Sequence, residues 1–305
     1  MSLILTVGTK QSIWLVADRR LSLRSRPVKE DATKVMVLET RDGIAILGYA
    51  GLGATTRGTE PSDWMNKVLR GRGALTLEQA LGVLADAMRQ QLPRHLQIMP
   101  RGPAAHSLVA SAFVGEERRL YTIDMALSPD RRTIAFGYTR HQFEYSPRKI
   151  GKAPPFARGG SGALAGLHAG WRREALRLVK ANERGQISPR VVADALAQLN
   201  YETHRQDQFV GPNCIVIWRY RRDARVKWGG GYQAYVGTSP DGKGSGPPTL
   251  VSGLDMMAIS KEFLGAFSKQ IDEGGWEKAG SEMSKILQEA FAGQIGVKPD
   301  EGPFE

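Results

Sequence analysis

Cys214 is the only cysteine in 305 residues, so no disulfide can close within the chain. It lies in the apolar run Cys214-Ile215-Val216-Ile217-Trp218, which reads as a buried strand where a thiol acts as a small hydrophobe. Long hydrophobic runs are missing: none approaches the ~20 residues of a membrane span. The first residues lack a basic stretch followed by an apolar one, so no secretory signal is expected. The cytoplasm is the expected compartment, and no membrane partner is expected. Histidine is sparse, and His95, His106, His141, His168 and His204 show no metal-binding spacing such as His-Glu-x-x-His. No metal and no organic cofactor are expected. Internal repeats are also absent.

Acidic residues are in the minority, and the net charge of +11 raises the question of nucleic acid. The arginines come as scattered pairs, from Arg19-Arg20 to Arg221-Arg222, with no basic helix, zinc-finger spacing or RNA-binding aromatic signature. They read as solvated surface, so a nucleic-acid partner is not expected. Gly237-x-x-x-x-Gly242-Lys243 nearly matches a phosphate-binding loop but lacks the following Ser/Thr and the helix, so phosphate is not expected there.

What is present is ordinary for a globular protein, with 41% hydrophobic and 24% charged residues. Strands are predicted at 3–9 and 13–18, and again at 34–39 and 44–50 around Asp42-Gly43, a hairpin signal. Two helices follow, one from Ser62-Asp63 and one from Thr76 to Leu92 with the capping-box pair Thr76 and Gln79. Strands are predicted at 107–114, 119–125, 132–138 and 142–146, helices at 162–182 and 189–204, and a strand at 213–220. This order fits an α+β fold of two stacked sheets with helices on both outer faces, a four-layer αββα sandwich. Residues 1–222 are taken as that domain. Residues 223–305 are taken as a Gly/Pro-rich linker and a short helical C-terminal appendage, with helices at 256–270 and 276–292.

The chemistry concentrates near the start of the chain. Removal of Met1, expected because serine is small, would leave Ser2 with a free amine. A serine hydroxyl needs a base, and an α-amine titrating near ~7.7–8.0 can serve. Asp18 follows in Leu15-Val16-Ala17-Asp18-Arg19-Arg20 and Lys34 in Asp31-Ala32-Thr33-Lys34-Val35. A nearby Lys⁺ favours the neutral amine, and a carboxylate keeps that lysine charged and oriented. The small-residue turn Gly48-Tyr49-Ala50-Gly51-Leu52-Gly53 completes the set.

From Ser2 to about Arg222 the chain resembles proteasome β subunits and their bacterial ring-peptidase relatives, which are N-terminal-nucleophile (Ntn) hydrolases. Ser2, Asp18 and Lys34 match the family's spacing without a gap, with serine where most members have threonine. The resemblance implies Ser2 as nucleophile, Asp18 and Lys34 as its charged partners and the Gly51 N–H as oxyanion donor, each such donor being worth ~10²–10³ in rate. Arg158-Gly159-Gly160-Ser161-Gly162 resembles the turn that sets a serine beside the amine. Arg205-Gln206-Asp207 before Gly211 resembles the second acidic site. The family's serine three residues after that aspartate is Val210 here. Tyr49, Leu21, Ala32, Met36 and Gly53 map to the walls of the substrate pocket, though each also reads as ordinary core.

The function implied is a peptidase acting on peptides or unfolded proteins in a ring-shaped homo-oligomer; an ATPase partner stays unknown. Two alternatives remain open: a small-amide amidohydrolase of the same superfamily, and a catalytically silent scaffold or binding module.

Overall fold

The computed structural model describes residues 2–23, 26–51, 59–98, 106–127, 134–141, 156–159, 169–221, 229–242 and 246–294. Two large sheets form an α+β fold. The first, six-stranded, contains β1 (Ile4–Gly8), β2 (Ser12–Asp18), β10 (Phe156–Gly159), β11 (Cys214–Tyr220), β12 (Gly230–Val236) and β13 (Ser239–Pro240), in the order β10-β1-β2-β11-β12-β13. The second, seven-stranded, contains β5 (Val35–Glu39), β6 (Gly43–Ala50), β7 (Ser107–Val114), β8 (Glu117–Leu127), β9 (Ile134–His141), β14 (Thr249–Val251) and β15 (Leu254–Asp255), in the order β15-β14-β5-β6-β7-β8-β9. A small hairpin, β3 (Leu21–Leu23) with β4 (Arg26–Lys29), lies between β2 and β5 in the chain.

Alternation along the strands decides what each face meets. On β2, Ile13, Leu15 and Ala17 join Ile4, Ile215 and Ile217 in a core shared with Val35, Val37, Ile46, Val109 and Phe113 of the second sheet. Trp14 and Val16 point the other way, into a core with α3 (Ala169–Glu183) and α4 (Pro189–Gln206). The far face of the second sheet packs Met36, Leu47, Tyr49 and Tyr121 with side chains of α1 (Pro61–Leu69) and α2 (Leu77–Ile98). Coverage on both faces explains why β1 and β2 are buried at every position.

Local signals set several boundaries. The Thr76 N–H donates to Gln79 Oε1 at 2.9 Å and the Gln79 N–H to Thr76 Oγ1 at 3.3 Å, the reciprocal capping box. The turn between β5 and β6 closes with the Thr40 N–H on the Gly43 carbonyl, 2.8 Å. The helix expected from Ser62 begins at Pro61, whose missing N–H costs nothing at the first helical position. The strand expected at 142–146 lies outside the described residues, as does 162–168 of the helix expected at 162–182.

The segment after residue 222, expected as linker and helices, also supplies strands. β12 and β13 extend the first sheet, and β14 pairs parallel with β5 in the second. Glycine at 230 and 231 reads as linker, yet Gly231 is a strand residue paired with Trp218, and a Cβ there would lie 2.6 Å from the indole. The ring covers the glycine, which offsets its missing side chain. The two appendage helices are α5 (Met256–Ala292), broken at Gly275 with φ 78° and ψ 175°. Among the described residues no helix is long and apolar enough to cross a membrane.

Candidate functional site

Three strands deliver the central groups. Ser2 precedes β1, Asp18 ends β2, and Lys34 immediately precedes β5. β1 and β2 pair with Ile4 opposite Ala17, which brings the start of the chain to Asp18. The second sheet comes close because Gly48, paired with Val35, has no side chain: a Cβ there would meet Ile4 Cγ2 at 2.8 Å and Leu15 Cδ1 at 3.1 Å.

Lys34 Nζ lies 2.9 Å from Ser2 Oγ, 2.9 Å from Asp18 Oδ1 and 3.0 Å from Oδ2. All three side chains are sealed, Ser2 at 4% exposure, Asp18 at 0% and Lys34 at 1%. The carboxylate is held by main-chain donors: the Leu3 N–H at 2.7 Å on Oδ1, and the Arg20 and Gly211 N–H groups, each at 3.1 Å, on Oδ2. Burial pushes the Lys34 ammonium below its ordinary value of 10.5, while the Asp18 charge pulls it back up. A lysine so placed can hold a hydrogen bond to a hydroxyl and take its proton.

Sequence reasoning did not single out the supports of this trio. Arg19, next to Asp18 and buried, donates from Nε to the Ala32 carbonyl at 3.3 Å and from Nη2 to the Asp31 carbonyl. It thereby pins the turn that leads into Lys34. Glu60 accepts from the Thr33 N–H at 2.6 Å and from Lys29. Gly211 approaches so closely that a Cβ would lie 2.7 Å from Arg20 Cβ and 3.0 Å from Arg20 N. Gly211→Ala is therefore expected to push this turn away from Asp18 and destabilise the protein by about 1–3 kcal/mol, read as a lower urea midpoint at unchanged slope. The only local hint was an arginine pair and a glycine beside candidate acids.

Other predicted residues fall as follows. Gly51, just past β6, has φ 110°, a conformation that favours glycine, and β6 runs beside Lys34, whose carbonyl accepts the Tyr49 N–H at 2.9 Å. Asp207 ends α4 and accepts the Phe209 N–H at 2.9 Å; Val210 is buried and its carbonyl bonds His204 Nδ1 at 2.8 Å. Leu21, Ala32, Met36 and Tyr49 are all buried. Met36 and Tyr49 pack in the core beneath α1 and α2, with the Tyr49 hydroxyl 3.0 Å from His106 Nδ1 and burial raising its pKa well above the ordinary phenol value. Ser161 and Gly53 lie outside the described residues.

Cys214, paired with Asp18 across the sheet, is buried, and burial with the nearby carboxylate pushes its thiol far up. It is held protonated and makes a poor nucleophile. Among the described residues no group of three or more His, Cys, Asp or Glu side chains could hold a metal ion.

No protein-family model matches the chain, and no curated protein matches it. Among solved structures it is similar to Anbu (ancestral beta-subunit) from Yersinia bercovieri, at 13% identity and a TM-score of 0.47, over 76% of this chain and 87% of that one. It is similar to the Anbu (Gly-1) mutant from Hyphomicrobium sp. strain MC1 at 15% identity and a TM-score of 0.46, over 77% and 87%. It is also similar to the helical assembly of the Anbu complex from Pseudomonas aeruginosa, at 11% identity and a TM-score of 0.47, over 89% and 96%. These findings correct the assignment to proteasome β subunits drawn from residue spacing: these three solved structures are Anbu proteins, and no family is shown. The physical reason is that Ser2, Asp18 and Lys34 specify how three strand ends meet, which is a local geometry and not a lineage.

Proposed function

We propose that the chain is an amide hydrolase in which Ser2, freed at its amine by loss of Met1, is the nucleophile. One observation carries this reading: Lys34 Nζ stands 2.9 Å from Ser2 Oγ while Asp18 holds the same ammonium at 2.9 Å. Ser2 Oγ attacks the scissile carbonyl, and its proton passes to Lys34 or to the Ser2 amine. The Gly51 N–H binds the oxyanion. The leaving amine takes the proton as the tetrahedral intermediate collapses, and water then hydrolyses the ester by the reverse sequence.

In this reading Ser161 and Asp207 support the amine, and Val210 leaves that support without the serine side chain the pattern calls for. Leu21, Ala32 and Gly53 are the proposed pocket residues, with Met36 and Tyr49 backing them from the core beneath α1 and α2, so peptides with apolar or medium-sized side chains are the proposed substrates. The three cores, one between the sheets and one on each outer face, support a four-layer αββα stacking for the domain up to residue 222, with the rest of the chain as its appendage.

Intact mass after incubation with a peptide epoxyketone, which reacts with a terminal hydroxyl and amine together, tests the proposal. The expected result is a protein lacking Met1 and carrying one adduct on Ser2. Retained Met1, or a free Ser2 without adduct, would overturn it.

A further inference from the structure

α5 is not one rod. A straight helix would separate Glu262 from Gln294 by about 48 Å, yet Gln294 Nε2 donates to Glu262 Oε1 at 3.2 Å. The break at Gly275 folds the segment into two antiparallel arms, 256–274 and 276–292, and the Phe267 and Trp276 rings meet across the bend at 6.2 Å between centroids. Both feet stand on α1 and its C-cap: Asn66 Nδ2 donates to Asp255 Oδ2 at 2.5 Å, and Arg70, just past the helix, donates to Gln294 Oε1.

Each arm has two apolar lines. The inner line of the first arm is buried Ile259 with half-buried Phe263 and Phe267; that of the second is buried Ala279, Ile286 and Ala290. The outer line carries large apolar side chains in solvent, Leu264 at 62% exposure, Trp276 at 72%, Met283 at 48% and Leu287 at 40%. At 3.6 residues per turn, Leu264 follows Phe263 and Phe267 around its arm by about 60–100°, and Trp276, Met283 and Leu287 follow Ala279 and Ile286 by about 40–100°. Because the arms run in opposite directions, equal rotations in the same chain sense carry both outer lines to one side. The hairpin therefore presents a single two-helix apolar face.

We propose that this face is a self-association surface, on which the α5 hairpin of a second copy docks about a two-fold axis to complete a four-helix bundle. A two-helix sheet of side chains with one open apolar face is half of such a bundle, and a two-fold contact needs only one self-complementary patch. The face is about 28 Å long and 20 Å wide, so pairing two copies buries on the order of 1,100 Å², close to the lower edge of stable dimer interfaces. Carboxylates outnumber lysines on the arms, Glu262, Asp272, Glu273, Glu277, Glu282 and Glu289 against Lys261, Lys269, Lys278 and Lys285, which disfavours an anionic membrane as the occupant. This inference stands apart from the hydrolase proposal, since it invokes no atom of the Ser2 site.

Sedimentation of the full chain across a wide concentration range, for wild type, Leu264→Glu and the control Lys285→Glu, tests it. Wild type and Lys285→Glu are expected to share one mass distribution, and Leu264→Glu to fall to half that mass with unchanged thermal unfolding. Cysteine at 264 or 283 is expected to cross-link two copies through a short bismaleimide, whereas Ser281→Cys, exposed on the opposite side of its arm, is not. Wild type that stays monomeric throughout, or Leu264→Glu that keeps the wild-type mass, would overturn the proposal and leave the face to a foreign partner. Equal cross-linking at 281 would overturn it too.

Discussion

Asp18→Ala is expected to cost about 3–5 kcal/mol of stability, as breaking a buried ion pair from one side does. The substitution leaves the Lys34 ammonium at 1% exposure without its carboxylate. It also strips the acceptor from three main-chain donors, the Leu3, Arg20 and Gly211 N–H groups. Those donors belong to the residue before β1, to the chain following β2 and to the turn after α4, so the loss loosens three segments at once. Urea unfolding measures the effect as a lower midpoint. The double variant Asp18→Leu with Lys34→Met should regain most of the loss, because replacing both members of a buried pair with apolar side chains is often neutral or better. A single-variant loss below about 1 kcal/mol would mean that water solvates the trio and that the pair contributes no more than a surface ion pair does.

Ser2→Ala is expected to act in the opposite way, leaving the fold nearly intact and removing the proposed hydrolase activity. The folded state loses one hydrogen bond to Lys34, about 0.5–1.5 kcal/mol. Hydrolysis loses its nucleophile, and the rate is expected to fall by at least about 10³-fold. The two variants therefore separate scaffold from chemistry: one destabilises the fold, and the other silences a folded protein.

The pH profile of the wild type adds a sign. On the Lys34 route of the proposed reaction only the neutral side chain can take the Ser2 proton, and burial sets its pKa below 10.5, so kcat/KM should climb with pH through that lowered value. Lys34→Arg stays protonated and should lose this limb. Linkage runs the same way: the unfolded chain holds the Lys34 proton more tightly, so stability should rise with pH from the lowered value towards 10.5. A flat profile with full activity in Lys34→Arg would remove lysine from the proton path.

Much of the first sheet, of β5 to β8 and of the helices was legible along the chain because its causes are local. Thr76 and Gln79 cap α2 within one turn of helix, Asp42-Gly43 fits the tight link between β5 and β6, and short, nearly continuous apolar runs mark β1 and β2. The meeting of Ser2, Asp18 and Lys34 was expected from the resemblance of their spacing to a known family, and in the structure they lie where β1 begins, β2 ends and β5 begins. What spacing could not supply was kinship, because three residues constrain a geometry and leave most of the chain free.

Pairings across long stretches of chain had no local signal. β14 joins β5 in parallel, and β12 carries a glycine covered by the indole of Trp218, so neither reads as a strand from its own residues. The hairpin of α5 depends on one residue, Gly275, and on side chains thirty-two positions apart. The support of Asp18 by the Gly211 N–H spans 193 positions. Periodicity and turn chemistry act between neighbours, so the sequence by itself determined the main elements and the identities of the central charges. Packing acts between strangers in the chain, so only the tertiary structure decided that Gly48 lets the sheets close, that Met36 and Tyr49 lie in a core, and that Leu264, Trp276, Met283 and Leu287 share one open face.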